Sequence, residues 1–247
     1  MPMDGFLNIL KPPGMSSHDV IGAVRKVLHM KRVGHAGTLD PAAAGVLPIA
    51  VGQAARLIEY LELADKTYRA ELTFGFATDS GDDTGEITEE VADFAMPSQQ
   101  AIEHALLGFT GKIRQTPPAH SAIKIGGKRA CDLLREGKEV EIPSREVTIH
   151  ALDLVAYHPE EKKILLDVQC SKGTYIRSLC LDIGAALGLP ATMSFLVRSR
   201  VGDFALADAL TLEELGEAGE RAILEPAHFL SHLERYDLDP RRELHTP

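Results

Sequence analysis

Three short stretches of this chain carry residues that could do chemistry. Residues 34 to 41 read Gly-His-Ala-Gly-Thr-Leu-Asp-Pro, so one carboxylate, Asp40, stands between a glycine-rich turn and a proline, downstream of His35. Gly34, Gly37 and Gly45 open backbone conformations closed to other residues, while Pro41 fixes its own φ and drives Asp40 towards an extended conformation. A carboxylate held this way can serve as nucleophile or base in sugar and base chemistry. Asp-Pro is equally a common helix entry, here at Ala42, and the local pattern leaves both readings open. The second stretch, Ser171-Lys172-Gly173-Thr174-Tyr175-Ile176-Arg177, runs from a strand end through glycine into a helix. Its first-turn amides can receive an anion, and Arg177 can pair with a carboxylate or a phosphate. The third is Tyr68, which with Tyr175 offers an aromatic face for a stacked base. Each has a plainer alternative: a core tyrosine at 68, a tyrosine under a loop at 175, a structural ion pair at 177, a polar turn residue at 35.

Other chemistries lack their residues. There is no Gly-x-x-x-x-Gly-Lys-[Ser/Thr], no Gly-x-Ser-x-Gly and no His-Glu-x-x-His, and the ten histidines do not pair at metal-ligand spacing. Asp79 to Glu90 resembles a calcium loop until Gly81 and Thr84 fall at the third and sixth positions, the latter needing glycine. Cys131, Cys170 and Cys180 show no C-x-x-C spacing and read as core thiols of a reducing, cytoplasmic compartment. No metal and no cofactor is expected.

The elements that must position these residues follow from periodicity and punctuation. Gly5 to Leu10 reads as a strand closed by Lys11-Pro12-Pro13-Gly14. Ser16 or Ser17 caps a helix with Val20, Ile21, Val24, Val27 and Leu28 at helical spacing. Val46–Val51 reads as a buried strand, 53–61 as a helix, and Lys66–Phe76 as one alternating strand. An acidic loop over 81–90, a helix over 97–107 and a helix over 128–136 come next. Strands over 145–157 and 162–171 meet at a turn, 174–187 is a helix, 191–201 is extended, and Thr211 caps a last acidic helix. Strands and helices intermix without regular βαβ repetition, which predicts an α+β fold with a mixed sheet.

A chain of 247 residues with 45% hydrophobic and 25% charged residues is an ordinary globular protein. No apolar run reaches membrane length, and no heptad or apolar stripe calls for a second copy, so a monomer is expected. The net charge of −10 speaks against a nucleic-acid partner, but its distribution does not. Residues 79–103 hold eight acids and no Lys or Arg, whereas 112–129 hold Lys112, Arg114, Lys124, Lys128 and Arg129 and no acid. Lys11, Arg25, Lys26, Lys31 and Arg32 form a second basic group, and Arg198 with Arg200 a third. A basic face on an acidic body can hold a polyanion in a salt-sensitive way.

Taken in order, these stretches resemble the bacterial tRNA pseudouridine-55 synthases. The resemblance runs from Gly5 to about Leu233 and rests on Leu10 to Ser17, Gly34 to Ile49, Lys66 to Arg69, Thr78 to Gly85, Gln115 to Pro118, Ser121 to Lys124, Gly127 to Ala130, Ser171 to Arg177 and Leu196 to Gly202. It implies the pseudouridine-synthase fold, a mixed, mainly antiparallel sheet flanked by helices and loops around an RNA cleft. It puts the catalytic aspartate at Asp40, its arginine partner at Arg177 and the base-stacking tyrosine at Tyr68. It puts substrate contacts at Lys11, His35, Tyr175 and Leu196, with RNA contacts from Lys124, Lys128, Arg129 and Lys172. The stretch 114–145 resembles the family's RNA-clamping insertion in a catalytic domain over 1–235. His120 and Cys131 depart from the tyrosine common there, and Ala36 from threonine. The dozen residues of 236–247 are too few for the C-terminal PUA domain many members carry.

The implied task is to break an N-glycosidic bond, turn the uracil and rejoin it through carbon. Nothing is oxidised, and one carboxylate can suffice because the base stays bound. The implied partner is the T-stem-loop of tRNA, with the target uridine flipped out of its stack. Two other readings stand beside this one. One is a tRNA-binding or folding module, which needs the basic clamp but not Asp40. The other is an RNA-guided synthase, against which the basic insertion and the missing PUA domain argue.

Overall fold

The computed structural model describes residues 4–118, 121, 123–125, 128–130, 136 and 142–229. His120, Cys131 and the tail 236–247 lie outside the described residues, as does most of the helix expected over 128–136.

The chain opens with β1 (Gly5–Lys11) and α1 (Ser17–Leu28). Ser16 and Asp19 form a reciprocal capping box, which satisfies two amides that a helix start leaves bare. Val20, Ile21, Val24 and Leu28 fall on one face and pack on Leu7, Ile9, Leu47 and Ile49 of the sheet. Strands β2 (Val33–His35) and β3 (Ala44–Val51) flank the Asp40 loop. The helix expected over 53–61 is instead a 3-10 turn, Gly52–Leu57, followed by α2 (Ile58–Glu62). Leu57, at φ −96 and ψ 0, interrupts helical geometry between them.

The alternating strand ends earlier than its pattern predicts. β4 (Lys66–Phe74) buries Tyr68, Ala70, Leu72 and Phe74 on one face. Gly75 then takes φ +108, and Phe76–Thr78 leaves as β5 to pair with β6 (Ile87–Glu90) inside the expected acidic loop. After α3 (Gln99–Leu107) come β7 (Gly111–Gln115), the short pair β8 (Lys124–Ile125) and β9 (Lys128–Arg129), and the long hairpin β10 (Arg145–His158) and β11 (Lys163–Cys170). Lys128 and Arg129 therefore form a strand paired with Lys124–Ile125, not the start of a helix. The chain continues with α4 (Ile176–Ala186), β12 (Ala191–Val201), β13 (Phe204–Ala205), α5 (Leu212–Ala218) and α6 (Pro226–Phe229).

Among the described residues nine strands make one sheet, ordered β1-β3-β12-β4-β11-β10-β7, with β2 on β3 and β13 on β12. The β3–β12 pair is parallel and the other pairings in this sheet are antiparallel, as the expected mixed sheet requires. That parallel contact, at Val197↔Ala44 and Arg198↔Gly45, brings the end of the Asp40 loop into the middle of the sheet. The core face of α4 (Ile176, Leu179, Cys180, Ile183) packs on Tyr68, Ala70, Leu196 and Leu39 in one cluster. The sheet thus carries Asp40 and Arg177 to the same place.

Candidate active site

Asp40 does not begin a helix. Ala43 N donates to Asp40 O in a turn, and the chain enters β3 at Ala44. The carbonyls a helix would have used are engaged elsewhere: Lys11 Nζ donates to Pro41 O at 3.1 Å and Ala43 O at 2.6 Å, and also to Pro12 O at 2.9 Å. Ser17 Oγ donates to Leu39 O and accepts from Leu39 N, clipping the residue before Asp40 to the first turn of α1. Arg198 holds the other side, with Nη2 on Gly37 O at 3.0 Å and Nε on Val46 O at 2.8 Å.

These contacts correct the charge reading. Lys11 and Arg198 belong to no basic surface: they are 0% and 1% exposed and bind backbone carbonyls beneath the loop. Lys11, expected among the substrate contacts, is a tether for the Asp40 loop. Burial lowers its pKa to about 8, opposed by the nearby Asp40 charge, so the ammonium persists at neutral pH. Lys11→Met removes a donor from three carbonyls, of which Pro41 O keeps the Gly14 amide, and is expected to cost about 2–4 kcal/mol. Urea unfolding checks this; an unchanged midpoint would discard the tether.

Arg177 supplies the facing charge. Its Nε lies 3.0 Å from Asp40 Oδ2, and Nη2 reaches Asp40 Oδ1 at 3.4 Å. Nη1 donates to Ser80 O at 2.8 Å, which fixes the plane of the fork. The Arg177 side chain is 6% exposed, whereas that of Asp40 is 36% exposed and opens to the cleft.

A second carboxylate, absent from the expected site residues, stands behind the pair. Asp82 Oδ2 is 3.8 Å from Arg177 Nε, and Asp82 Oδ1 accepts from Ser80 Oγ, Thr84 Oγ1 and Thr84 N. Burial works to raise the Asp82 pKa, but the hydrogen bonds from Thr84 and Ser80 outweigh it and hold the group below the ordinary carboxylate range. Asp40 goes the other way: burial raises it, the Arg177 charge pulls it down, and the Asp82 charge adds to the rise. One carboxylate is locked ionised while its neighbour is poised higher, an arrangement typical of acid–base sites. Asp82→Asn removes a like charge, so ionised Asp40 is favoured and the acid limb of activity is expected to move to lower pH. Single-turnover rates across about pH 4 to 8 read this directly; a limb that stays or climbs contradicts the coupling. The signal for Asp82 was the Thr78–Gly85 stretch, where it sat among other acids with nothing local to single it out.

The remaining expected residues divide. Leu196 lines a cleft with Asp40, Ala42, Asp82, Asp83 and Phe195. Tyr68 is 9% exposed, sits opposite Arg198 on the neighbouring strand and packs with Leu196 and Leu39 beneath the cleft. Its surroundings are those of a core tyrosine as much as of a platform. Burial pushes its phenol pKa up, opposed by the Arg198 charge, so it is a neutral ring at neutral pH. His35 is half-buried at the end of β2, and its Nδ1 is buried without a partner. Burial and the Arg198 charge hold its pKa down, which keeps the imidazole neutral. Tyr175 is half-buried and caps α4, with the Arg145 guanidinium 5.0 Å from its ring centroid. Lys172 is exposed on the loop before it. Lys124, Lys128 and Arg129 lie in the β8–β9 hairpin. Cys170 and Cys180 are buried free thiols, pushed up to about 11 and about 12 mainly by burial. Among the described residues no group of three His, Cys, Asp or Glu side chains could hold a metal ion.

The sequence matches the family described as TruB family pseudouridylate synthase (N terminal domain) over residues 25–176, and the tRNA pseudouridylate synthase B C-terminal domain over 177–232. It is 50% identical to a tRNA pseudouridine synthase B of Heliobacterium mobile, over 98% of this chain and 78% of that protein. It is also 50% identical to one of Symbiobacterium thermophilum, over 97% and 80%. Among solved structures it is similar to a Cbf5-Nop10-Gar1 complex (TM-score 0.72, 30% identity) over 93% of this chain and 62% of that one. An H/ACA RNP bound to a substrate RNA containing 2'-deoxyuridine follows, at TM-score 0.65 and 29% identity, over 87% of this chain and 53% of that one. With the Asp40 loop inside one family match and Arg177 opening the other, the chain belongs to the TruB family of pseudouridylate synthases.

Proposed function

We propose that this protein isomerises uridine to pseudouridine in the T-loop of tRNA, with Asp40 as the acting carboxylate. The observation that carries this reading is the buried Arg177 fork on a partly open Asp40, at a cleft bordered by Leu196. The fork opposes the rise that burial gives the Asp40 pKa and holds both of its oxygens in place. The bond from uracil N1 to ribose C1′ breaks, the base turns, and a bond from C5 to C1′ forms. The proton leaving C5 is balanced by the one gained at N1, so no redox partner or transferred group is needed. Asp40 serves this sequence as nucleophile or base, in a site whose donors are already in place.

The target base must leave its stack, at a cost of a few kcal/mol. Tyr68, beneath the cleft, stacks on the flipped base, and neutral His35 takes the space it leaves. The insertion that departs after β7 and returns at β10 contributes Lys124, Lys128 and Arg129 to the RNA backbone, and Lys172 adds a charge beside the cleft. The catalytic body spans 1–235 and works as a cytoplasmic monomer. Its exposed large apolar residues, such as Leu63, Leu107 and Val155, come from separate elements, and no described helix is long and apolar enough to cross a membrane.

The test is a T-stem-loop transcript incubated with purified protein, without metal or nucleotide, and analysed for pseudouridine. Formation at the T-loop uridine is the expected result; its absence across a range of salt concentrations would end this reading.

A further inference from the structure

Gln115 and Arg145 are the last cross-strand partners of the β7–β10 ladder, at the end of β7 and the start of β10. Both reach the same residue. Gln115 is 1% exposed, and its amide engages Tyr175 as a neighbouring strand would: Nε2 donates to Tyr175 O at 2.9 Å, and Oε1 accepts from Tyr175 N at 2.8 Å. Arg145 stacks its guanidinium over the Tyr175 ring and donates to Gly173 O. One residue beyond Arg177, Ser178 Oγ donates to Thr116 O at 2.8 Å, and the Thr116 hydroxyl bonds that of Ser144 at 2.7 Å. The two roots of the insertion thus hold residues 173–178 from both sides, with Arg177 among them.

We propose that Gln115 and Arg145 are positioning residues for the isomerisation: they set Tyr175 and, through the first turn of α4, the Arg177 fork on Asp40, tying the chemistry to the base of the RNA-clamping insertion. This rests on the function proposed above. A side-chain amide that closes both hydrogen bonds of one backbone unit admits a single placement. Displacing a catalytic group by about 1 Å can cost on the order of 100-fold in rate.

The experiment compares wild type, Gln115→Leu, Gln115→Glu and Arg145→Gln in single-turnover pseudouridine formation on a T-stem-loop transcript, each at saturating enzyme, with transcript affinity measured separately. Gln115→Leu is expected to lower the saturated rate about 30-fold and to change affinity less than about 3-fold. Gln115→Glu, which keeps the acceptor for Tyr175 N, falls between Gln115→Leu and wild type. A purely structural role would lower the melting temperature and leave the saturated rate of folded enzyme intact; that result, or a loss confined to affinity, overturns the proposal. Should Gln115→Leu not fold, Arg145→Gln decides, and an unchanged saturated rate overturns it. Fluorine spectra of protein labelled with 3-fluorotyrosine, with Tyr175 assigned through Tyr175→Phe, read the contact without activity. If wild type makes no pseudouridine, the functional reading fails by itself. The Tyr175 signal still decides the positioning: it moves in Gln115→Leu if Gln115 sets it, and an unmoved signal overturns the proposal.

Discussion

Asp40→Asn is expected to abolish pseudouridine formation, by about 1000-fold or more, while leaving T-stem-loop binding and the fold intact. The asparagine keeps the shape of the side chain and one acceptor for Arg177 but can neither take a proton nor attack as a carboxylate. Its effect on stability separates catalysis from structure. Burial raises the Asp40 pKa despite Arg177, so the native fold disfavours the charged form of this group relative to the unfolded chain. A group raised in this way contributes stability below its unfolded pKa and loses it as pH rises through the folded value. At neutral pH the charge is a net burden, and a neutral residue relieves it, the usual pattern at a site held for function. The unfolding midpoint is therefore expected to stay level or rise. Pseudouridine yield, transcript affinity and urea unfolding on one preparation check all three points. A variant with full yield removes Asp40 from the chemistry, and one that loses binding and yield together makes the residue part of an RNA-binding surface.

Gly45→Ala is expected to be the most damaging small substitution in the loop, costing about 3–5 kcal/mol. Gly45 pairs with Lys11 on one side and Arg198 on the other, at the point where β3 meets β12 in parallel. Its φ is +116, a conformation that side chains resist. A methyl group there would overlap the Arg198 carbonyl oxygen and come within 2.7 Å of the Arg198 amide nitrogen. Both strands are backbone-paired, so neither can yield without breaking the sheet. The damage should reach the chemistry as well, because Lys11 and Arg198 hold the Asp40 loop from the strands that Gly45 joins. Thermal unfolding measures the loss. A Gly45→Ala protein with wild-type melting and activity would show that the parallel contact has room for a methyl group.

Much of this protein was written in local patterns. The α1 face of Val20, Ile21, Val24 and Leu28, the strand Ala191–Val201, the turn at His158–Glu161 and the Thr211 cap depend on neighbours a few residues apart, and all form where periodicity and capping place them. The constraint on Asp40 was legible too, since glycine and proline act on their own backbone. Local pattern failed where a distant partner outvoted propensity. Ala42 and Ala43 would have continued a helix, but Lys11 takes their neighbourhood's carbonyls and β1 and β12 capture Gly45. Lys66 to Phe76 alternates without a break in sequence, yet Gly75 turns the chain away. The basic residues misled most: Lys11 and Arg198 look like surface charge, and only the packed structure shows them aimed at buried carbonyls. The pairing of Asp40 with Arg177 spans 137 residues, and the approach of Asp82 depends on β5 leaving the sheet. Sequence alone determined which side chains were available and which backbone was stiff. The tertiary structure decided which charges face one another and which are poised, because burial and Coulomb interaction depend on distances that spacing along the chain does not encode.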